Sequence, residues 1–79
     1  MNPAHLVKMA NQIGAFFEAQ PDQTQAAKDV AAHIQRNWEP RMRKDLLQHL
    51  SVAGNGELKP VVRAALKVIA AESQRPEAA

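Results

Sequence analysis

Few residues of this 79-residue chain could perform covalent or metal chemistry. Cysteine and tyrosine are absent, so a thiolate nucleophile, a thiolate metal ligand and a disulfide are excluded. The three histidines, His5, His33 and His49, are too scattered for an HExxH-type metal site, and no glycine-rich phosphate loop precedes a lysine. Ser51 and Ser73 lie outside any nucleophile-elbow motif. The sequence therefore argues against an enzyme and predicts neither metal nor nucleotide binding.

The most informative stretch is a basic one around the only tryptophan. Four cations and one acid stand between Arg36 and Lys44, although the net charge of the whole chain is only +2. Pro40 disfavours helix at the residue before it, which places Trp38 at a corner between two helices. Arginine suits interface contacts, and tryptophan is enriched at interface hot spots. We therefore predict a partner-binding surface made of His33, Arg36, Trp38, Glu39, Pro40, Arg41, Met42, Arg43 and Lys44.

Two plainer interpretations of this stretch stay open, namely a solvated basic face and a core tryptophan that caps a small bundle. Cations in the first turn of a helix that starts at Pro40 lie at the positive end of the helix dipole. Each is disfavoured there by roughly 0.3–1 kcal/mol. We therefore expect that removing Arg41 and Arg43 together is neutral or slightly stabilising for the free chain, and that it weakens binding to an acidic partner.

Four segments with helical periodicity position this corner. Their expected starts are the Asn2-Pro3 pair, the Pro21-Asp22 pair, Pro40 and Pro60. The first segment carries a broad apolar stripe, consisting of Leu6, Met9, Ala10, Ile13, Phe16 and Phe17. No segment shows the sustained alternation that is typical of a strand. The sequence predicts an all-α fold, a small bundle or orthogonal array of four short helices.

The chain is short enough for one domain, which we place at residues 1–71. Residues 72–79 show no apolar periodicity, and we expect them to form a disordered tail. No apolar run approaches the ~20 residues that cross a bilayer, and the first residues lack the build of a secretion signal. We expect a cytoplasmic protein without a membrane partner.

Two strings of the sequence resemble the delta subunit of soluble NAD-dependent formate dehydrogenases. They are MANQIGAFF at residues 9–17 and WEPRMR at residues 38–43. Residues 56–65 fit as well, so the resemblance extends from about residue 6 to residue 66. Glu39 is a mild departure, since the family usually has aspartate at the corresponding position.

The resemblance implies a non-catalytic accessory subunit of a cytoplasmic complex. In such complexes the large alpha subunit carries a molybdenum or tungsten bis-pterin cofactor and iron–sulfur clusters. The beta and gamma subunits carry FMN, NAD and further clusters. The resemblance implies that this chain binds none of these cofactors. It also implies that the chain docks on the alpha subunit and supports assembly, stability or cofactor maturation.

A small basic DNA-binding module of the helix-turn-helix type is the alternative. A helix that ends near Trp38, a turn at Glu39 and Pro40, and a basic third helix have that outline. Against it, the net charge is low and no row of base-reading side chains follows one face of the third helix. We therefore expect a protein partner and no nucleic acid.

Overall fold

The computed structural model describes residues 2–54 and 56–74, and these residues form four helices. Helix α1 spans Pro3–Phe17, α2 spans Gln23–Asn37, α3 spans Pro40–Ala53 and α4 spans Pro60–Gln74. These described ranges contain no strand, so the all-α prediction is confirmed. Helix α4 continues three residues beyond the domain boundary that we drew at residue 71. Residues 75–79 of the predicted tail lie outside the described residues.

The helices begin and end where local side-chain chemistry favours it. The Asn2 side chain accepts a hydrogen bond from the amide of Ala4 at 2.9 Å, and the Asp22 side chain accepts one from the amide of Gln25 at 3.1 Å. Both are N-caps that satisfy an amide of the first turn. Gly54, with a φ of 81°, ends α3 in a conformation that other residues rarely adopt.

The core lies between α1, α2 and α4, and α3 contributes little to it. The backbones of α2 and α4 approach each other closely along much of their length, because several of the buried residues on these helices are small alanines. Helix α3 buries one side chain completely, that of Leu46. The buried set consists of Leu6, Val7, Ala10, Ala26, Ala27, Val30, Ala31, Ile34, Trp38, Leu46, Leu58, Val61, Val62, Ala65, Leu66 and Ile69. Both flanks of α3 are therefore left partly open.

Two residues of α1 fix where α4 begins. The side chain of Asn11 donates a hydrogen bond to the carbonyl of Glu57 and accepts one from the amide of Lys59, both at 2.9 Å. One turn further along α1, a Cβ atom added to Gly14 would lie 2.5 Å from Cγ2 of Val62. The absence of a side chain at Gly14 thus lets the first turn of α4 pack directly against α1.

Candidate partner-binding surface

Trp38 ends α2 and lies at the centre of the predicted corner. Its backbone is extended, with φ −94° and ψ 138°, and its amide still donates to the carbonyl of Ile34 at 2.8 Å. The side chain is only 6% exposed and belongs to the core. Trp38 is therefore mainly a core residue, in agreement with one of the two plainer interpretations.

The side chain of Arg43, in the first turn of α3, extends back to the end of α2. Its Nη1 atom donates to the carbonyl oxygen of Trp38 at 3.0 Å and, more weakly, to that of Gln35 at 3.4 Å. The guanidinium thus satisfies carbonyls that the end of α2 leaves without helical partners, and it lies at the negative end of the α2 dipole. Our expectation that removing Arg41 and Arg43 together is neutral or slightly stabilising for the free chain considered only their own helix, and it left out these contacts of Arg43 with the end of α2.

An aromatic groove opens beside Trp38, between α1, the end of α2 and the start of α3. Its volume is about 470 Å³, and it is lined by Met9, Gln12, Ile13, Phe16, Phe17, His33, Asn37, Trp38 and Met42. The rings of Phe16 and Phe17 meet edge to face with centroids 5.0 Å apart. The ring of Phe17 also lies 6.2 Å from that of His33. Phe16 itself is 78% exposed at the rim.

Six of the nine predicted residues line two different grooves. His33, Trp38 and Met42 line the aromatic groove. A second groove, the basic groove, has a volume of about 620 Å³ and is lined by Pro40, Arg43, Lys44, Leu47, Gln48, Ser51 and Ile69. The remaining predicted residues, Arg36, Glu39 and Arg41, are exposed and line neither groove. The nine predicted residues therefore belong to two separate grooves and to an exposed remainder, and they do not form one continuous groove.

The sequence did not predict that α1 contributes to the aromatic groove, although it showed a broad apolar stripe on this helix. At about 100° per residue, the apolar side chains of α1 from Phe16 round to Val7 cover roughly 180° of the helix surface. An apolar face of about 100° is enough for a helix that packs on one side. The excess width is the signal that part of the stripe, including Phe16, remains uncovered.

Outside the grooves, Asp29 joins the turn after α1 to α2. It accepts hydrogen bonds from the side chains of Gln20 and Gln25, both at 2.9 Å, and these bonds lower the pKa of its carboxyl group.

No three histidine or acidic side chains come together as a metal site within residues 2–54 and 56–74. Among the same residues, no helix has both the length and the apolar character needed to cross a membrane.

Comparison with known families identifies the chain. A family model described as the NADH-dependent formate dehydrogenase delta subunit FdsD matches residues 5–66. The chain belongs to this family. The delta-subunit match includes α1 from its third residue onward, all of α2 and α3 and the first part of α4, so it contains every residue of the aromatic groove. No curated protein and no solved structure matches the chain. The resemblance seen in the sequence is confirmed, and nothing in the match supports the DNA-binding alternative.

Proposed function

We propose that this delta-family chain is a non-catalytic accessory subunit of a cytoplasmic formate dehydrogenase. It docks on the large alpha subunit, which carries the molybdenum or tungsten cofactor, in a complex that also contains beta and gamma subunits. Its role is to support assembly, stability or cofactor maturation of the alpha subunit. The family match supports the choice of complex, and the aromatic groove supports the choice of docking surface.

The observation that carries this proposal is the exposure of Phe16 beside a concave aromatic surface. A phenylalanine side chain that is 78% exposed leaves much of its apolar area in water. Covering it stabilises a complex by about 2 kcal/mol, from the usual value for burying a large apolar side chain. Gln12, His33 and Asn37 add polar groups that can orient a partner in the groove.

In this proposal, the predicted charged residues outside the two grooves contribute less to affinity than the apolar groove does. Arg36, Glu39 and Arg41 are exposed and adjoin groove residues in the sequence, and in this proposal they supply the polar rim of the interface. Rim charges chiefly accelerate association and select the partner, while apolar anchors at the centre supply most of the affinity. We therefore expect Phe16 to matter more for affinity than any of these three residues.

A matched pair of variants tests the docking surface. Phe16 and Val52 are both large, apolar and strongly exposed, at 78% and 87%, but only Phe16 lines the aromatic groove. Each is changed to serine, co-expressed with the tagged alpha subunit, and measured by the amount of delta chain that co-purifies. Phe16→Ser should weaken binding about 30-fold, as a loss of ~2 kcal/mol requires, and Val52→Ser should not. Melting of the free variants checks that both remain folded.

Two results would overturn the proposal. The first is failure of the wild-type chain to co-purify with the alpha subunit, which removes the partner. The second is equal binding of the Phe16→Ser and Val52→Ser variants, which removes the aromatic groove as the docking surface. Reduced formate oxidation or reduced metal content in complexes that lack the delta chain would support a role in assembly or maturation.

A further inference from the structure

Helices α3 and α4 leave a long trough between them. The basic groove continues into a third concave region of about 270 Å³, which is lined by Leu47, Leu50, Ser51, Arg63, Leu66, Lys67 and Ala70. Leu47 and Ser51 line both parts, so the two form one surface, which we name the α3–α4 trough. Along α3 it runs from Pro40 to Ser51, or about 16 Å at the helical rise of 1.5 Å per residue.

The floor of the trough is apolar. Leu66 and Ile69 of α4 are almost fully buried beneath it, with 7% and 2% of their surfaces exposed. Leu47, Leu50 and Ala70 lie higher on its walls and are half-buried. The apolar surface that a partner can contact is therefore supplied mainly by Leu47 and Leu50 of α3 and Ala70 of α4, with the two buried residues closing the floor beneath them.

The walls of the trough are positively charged. Arg43, Lys44, Arg63 and Lys67 line it, which is four of the ten lysine and arginine residues of the chain. No carboxylate lines it in the part of the chain that the structure describes. Lys44 and Lys67 are exposed, and neither forms an ion pair with another described residue. A partner with negative charge is therefore favoured over a neutral or basic one.

We propose that the α3–α4 trough binds an acidic amphipathic helix of another subunit of the complex. The length of the trough matches about three helical turns, or roughly 11 residues. Apolar side chains at intervals of three and four residues would lie against Leu47, Leu50 and Ala70, with acidic side chains beside Lys44 and Lys67. This is the helix-in-groove mode of recognition with charged flanks. The inference rests on the proposed function for the existence of the complex.

Two other occupants fit the trough less well. A small free anion would pair with the cations and leave the apolar surface in water. A second copy of this chain offers no acidic apolar face, because its exposed large apolar residues in the described ranges are Phe16 and Val52, on different helices. The combination of an apolar floor with basic walls therefore favours a helix that carries both apolar and acidic residues.

Two double charge reversals test the trough. Lys44→Glu/Lys67→Glu changes two exposed lysines of the trough, and Lys8→Glu/Lys28→Glu changes two exposed lysines that line neither part of it. Both variants change the formal net charge of the chain by the same amount. Each is co-expressed with the other subunits of the complex, and the co-purified complex is measured over a range of salt concentrations. Melting of the free variants checks that both remain folded.

The trough variant should assemble at least tenfold less well than the control variant at low salt. Its assembly should also depend less on salt than that of the wild-type chain, because opposite charges attract less as salt screens them. Equal assembly of the two variants overturns the inference. If Phe16→Ser still weakens the complex in that case, the proposed function survives. If the wild-type chain does not co-purify with any subunit, both proposals fail.

A photo-crosslinking residue in place of Ser51 identifies the occupant. Ser51 is exposed and lies where the two parts of the trough meet. In the assembled complex we expect the crosslink to map to a helix of another subunit that carries both acidic and apolar residues. A crosslink to a second copy of this chain, to its own C-terminal residues, or to a segment without acidic residues overturns the inference.

Discussion

The Nη1 atom of Arg43 donates a hydrogen bond to the carbonyl oxygen of Trp38 at 3.0 Å, across the turn that joins α2 to α3. The two residues are five positions apart, yet one belongs to the first turn of α3 and the other ends α2. This bond links the end of α2 directly to the first turn of α3. It also distinguishes the two arginines of this turn. Arg43 has a structural contact, whereas Arg41 is exposed, and the sequence alone could not separate these roles.

Substitution of Arg43 by alanine should destabilise the free chain by about 1–2 kcal/mol. It removes a charged hydrogen bond from the end of α2 and a favourable interaction with the α2 dipole. In a domain of this size that loss lowers the melting temperature by roughly 5–15 °C. The matched variant Arg41→Ala should stay within about 0.5 kcal/mol of the parent, because Arg41 is exposed. Thermal unfolding of both checks this, and equal melting temperatures would show that the Arg43 bond contributes nothing to stability.

Substitution of Gly14 by alanine should destabilise the chain, although alanine is the better helix former by about 1 kcal/mol. The added methyl group would lie 2.5 Å from Cγ2 of the fully buried Val62. Overpacking of this kind costs about 1–3 kcal/mol, so a net loss of about 1 kcal/mol is expected. Chemical denaturation measures it. Val62→Ala should cost less in the Gly14→Ala background than in the parent, and additive effects of the two changes would contradict the predicted clash.

Substitution of Asn11 by alanine should loosen the start of α4. The variant loses the hydrogen bonds to the carbonyl of Glu57 and from the amide of Lys59, each worth about 1 kcal/mol, and regains a few tenths in helix propensity. We expect a net loss of about 1.5 kcal/mol and faster hydrogen exchange of the amides in the first turn of α4. The neighbouring exposed Gln12 provides the control. The prediction fails if Gln12→Ala accelerates the same amides equally.

Asp29 should contribute stability that is lost in acid. Hydrogen bonds from Gln20 and then Gln25 lower the pKa of its carboxyl group in the folded chain, and nearby Arg36 adds to the effect. The unfolded chain therefore binds a proton at higher pH, near the usual value of about 4, and the folded chain at lower pH. The contribution is complete above about pH 4 and decreases as pH falls through the folded pKa. Carboxyl NMR titration should show a pKa that rises in Gln20→Ala, and an unchanged pKa would contradict this assignment.

The helix boundaries could be predicted from the sequence because proline and capping residues act on their immediate neighbours. Asn2, Asp22, Pro40 and Pro60 each set a helix start through their own backbone or side chain. Asp22 and Gln25 have the spacing of a capping box, but only the Asp22 side chain caps an amide of the first turn, and the side chain of Gln25 is hydrogen-bonded to Asp29. Even a local pattern therefore depends on which neighbouring acceptor the fold brings near.

The two grooves could not be predicted in this way because they depend on how the helices pack. The exposure of Phe16 follows from which part of the wide apolar face of α1 the other helices cover. The engagement of Arg43 follows from the position of the α2 carbonyls, which belong to a different helix. In the same way, Asn11 and Gly14 contact the start of α4, nearly fifty residues away along the chain. The residue pattern of one helix does not indicate which residues of another helix it will contact.

The position of the single tryptophan gives this chain an intrinsic optical reporter. Trp38 is almost fully buried, and it also belongs to the lining of the aromatic groove between α1, α2 and α3. Its fluorescence should therefore shift to longer wavelength when the chain unfolds. A partner that fills the aromatic groove should alter the emission while the helices remain intact, and a peptide held only in the α3–α4 trough should leave it nearly unchanged. One unlabelled sample can thus distinguish loss of the fold from occupancy of one particular groove.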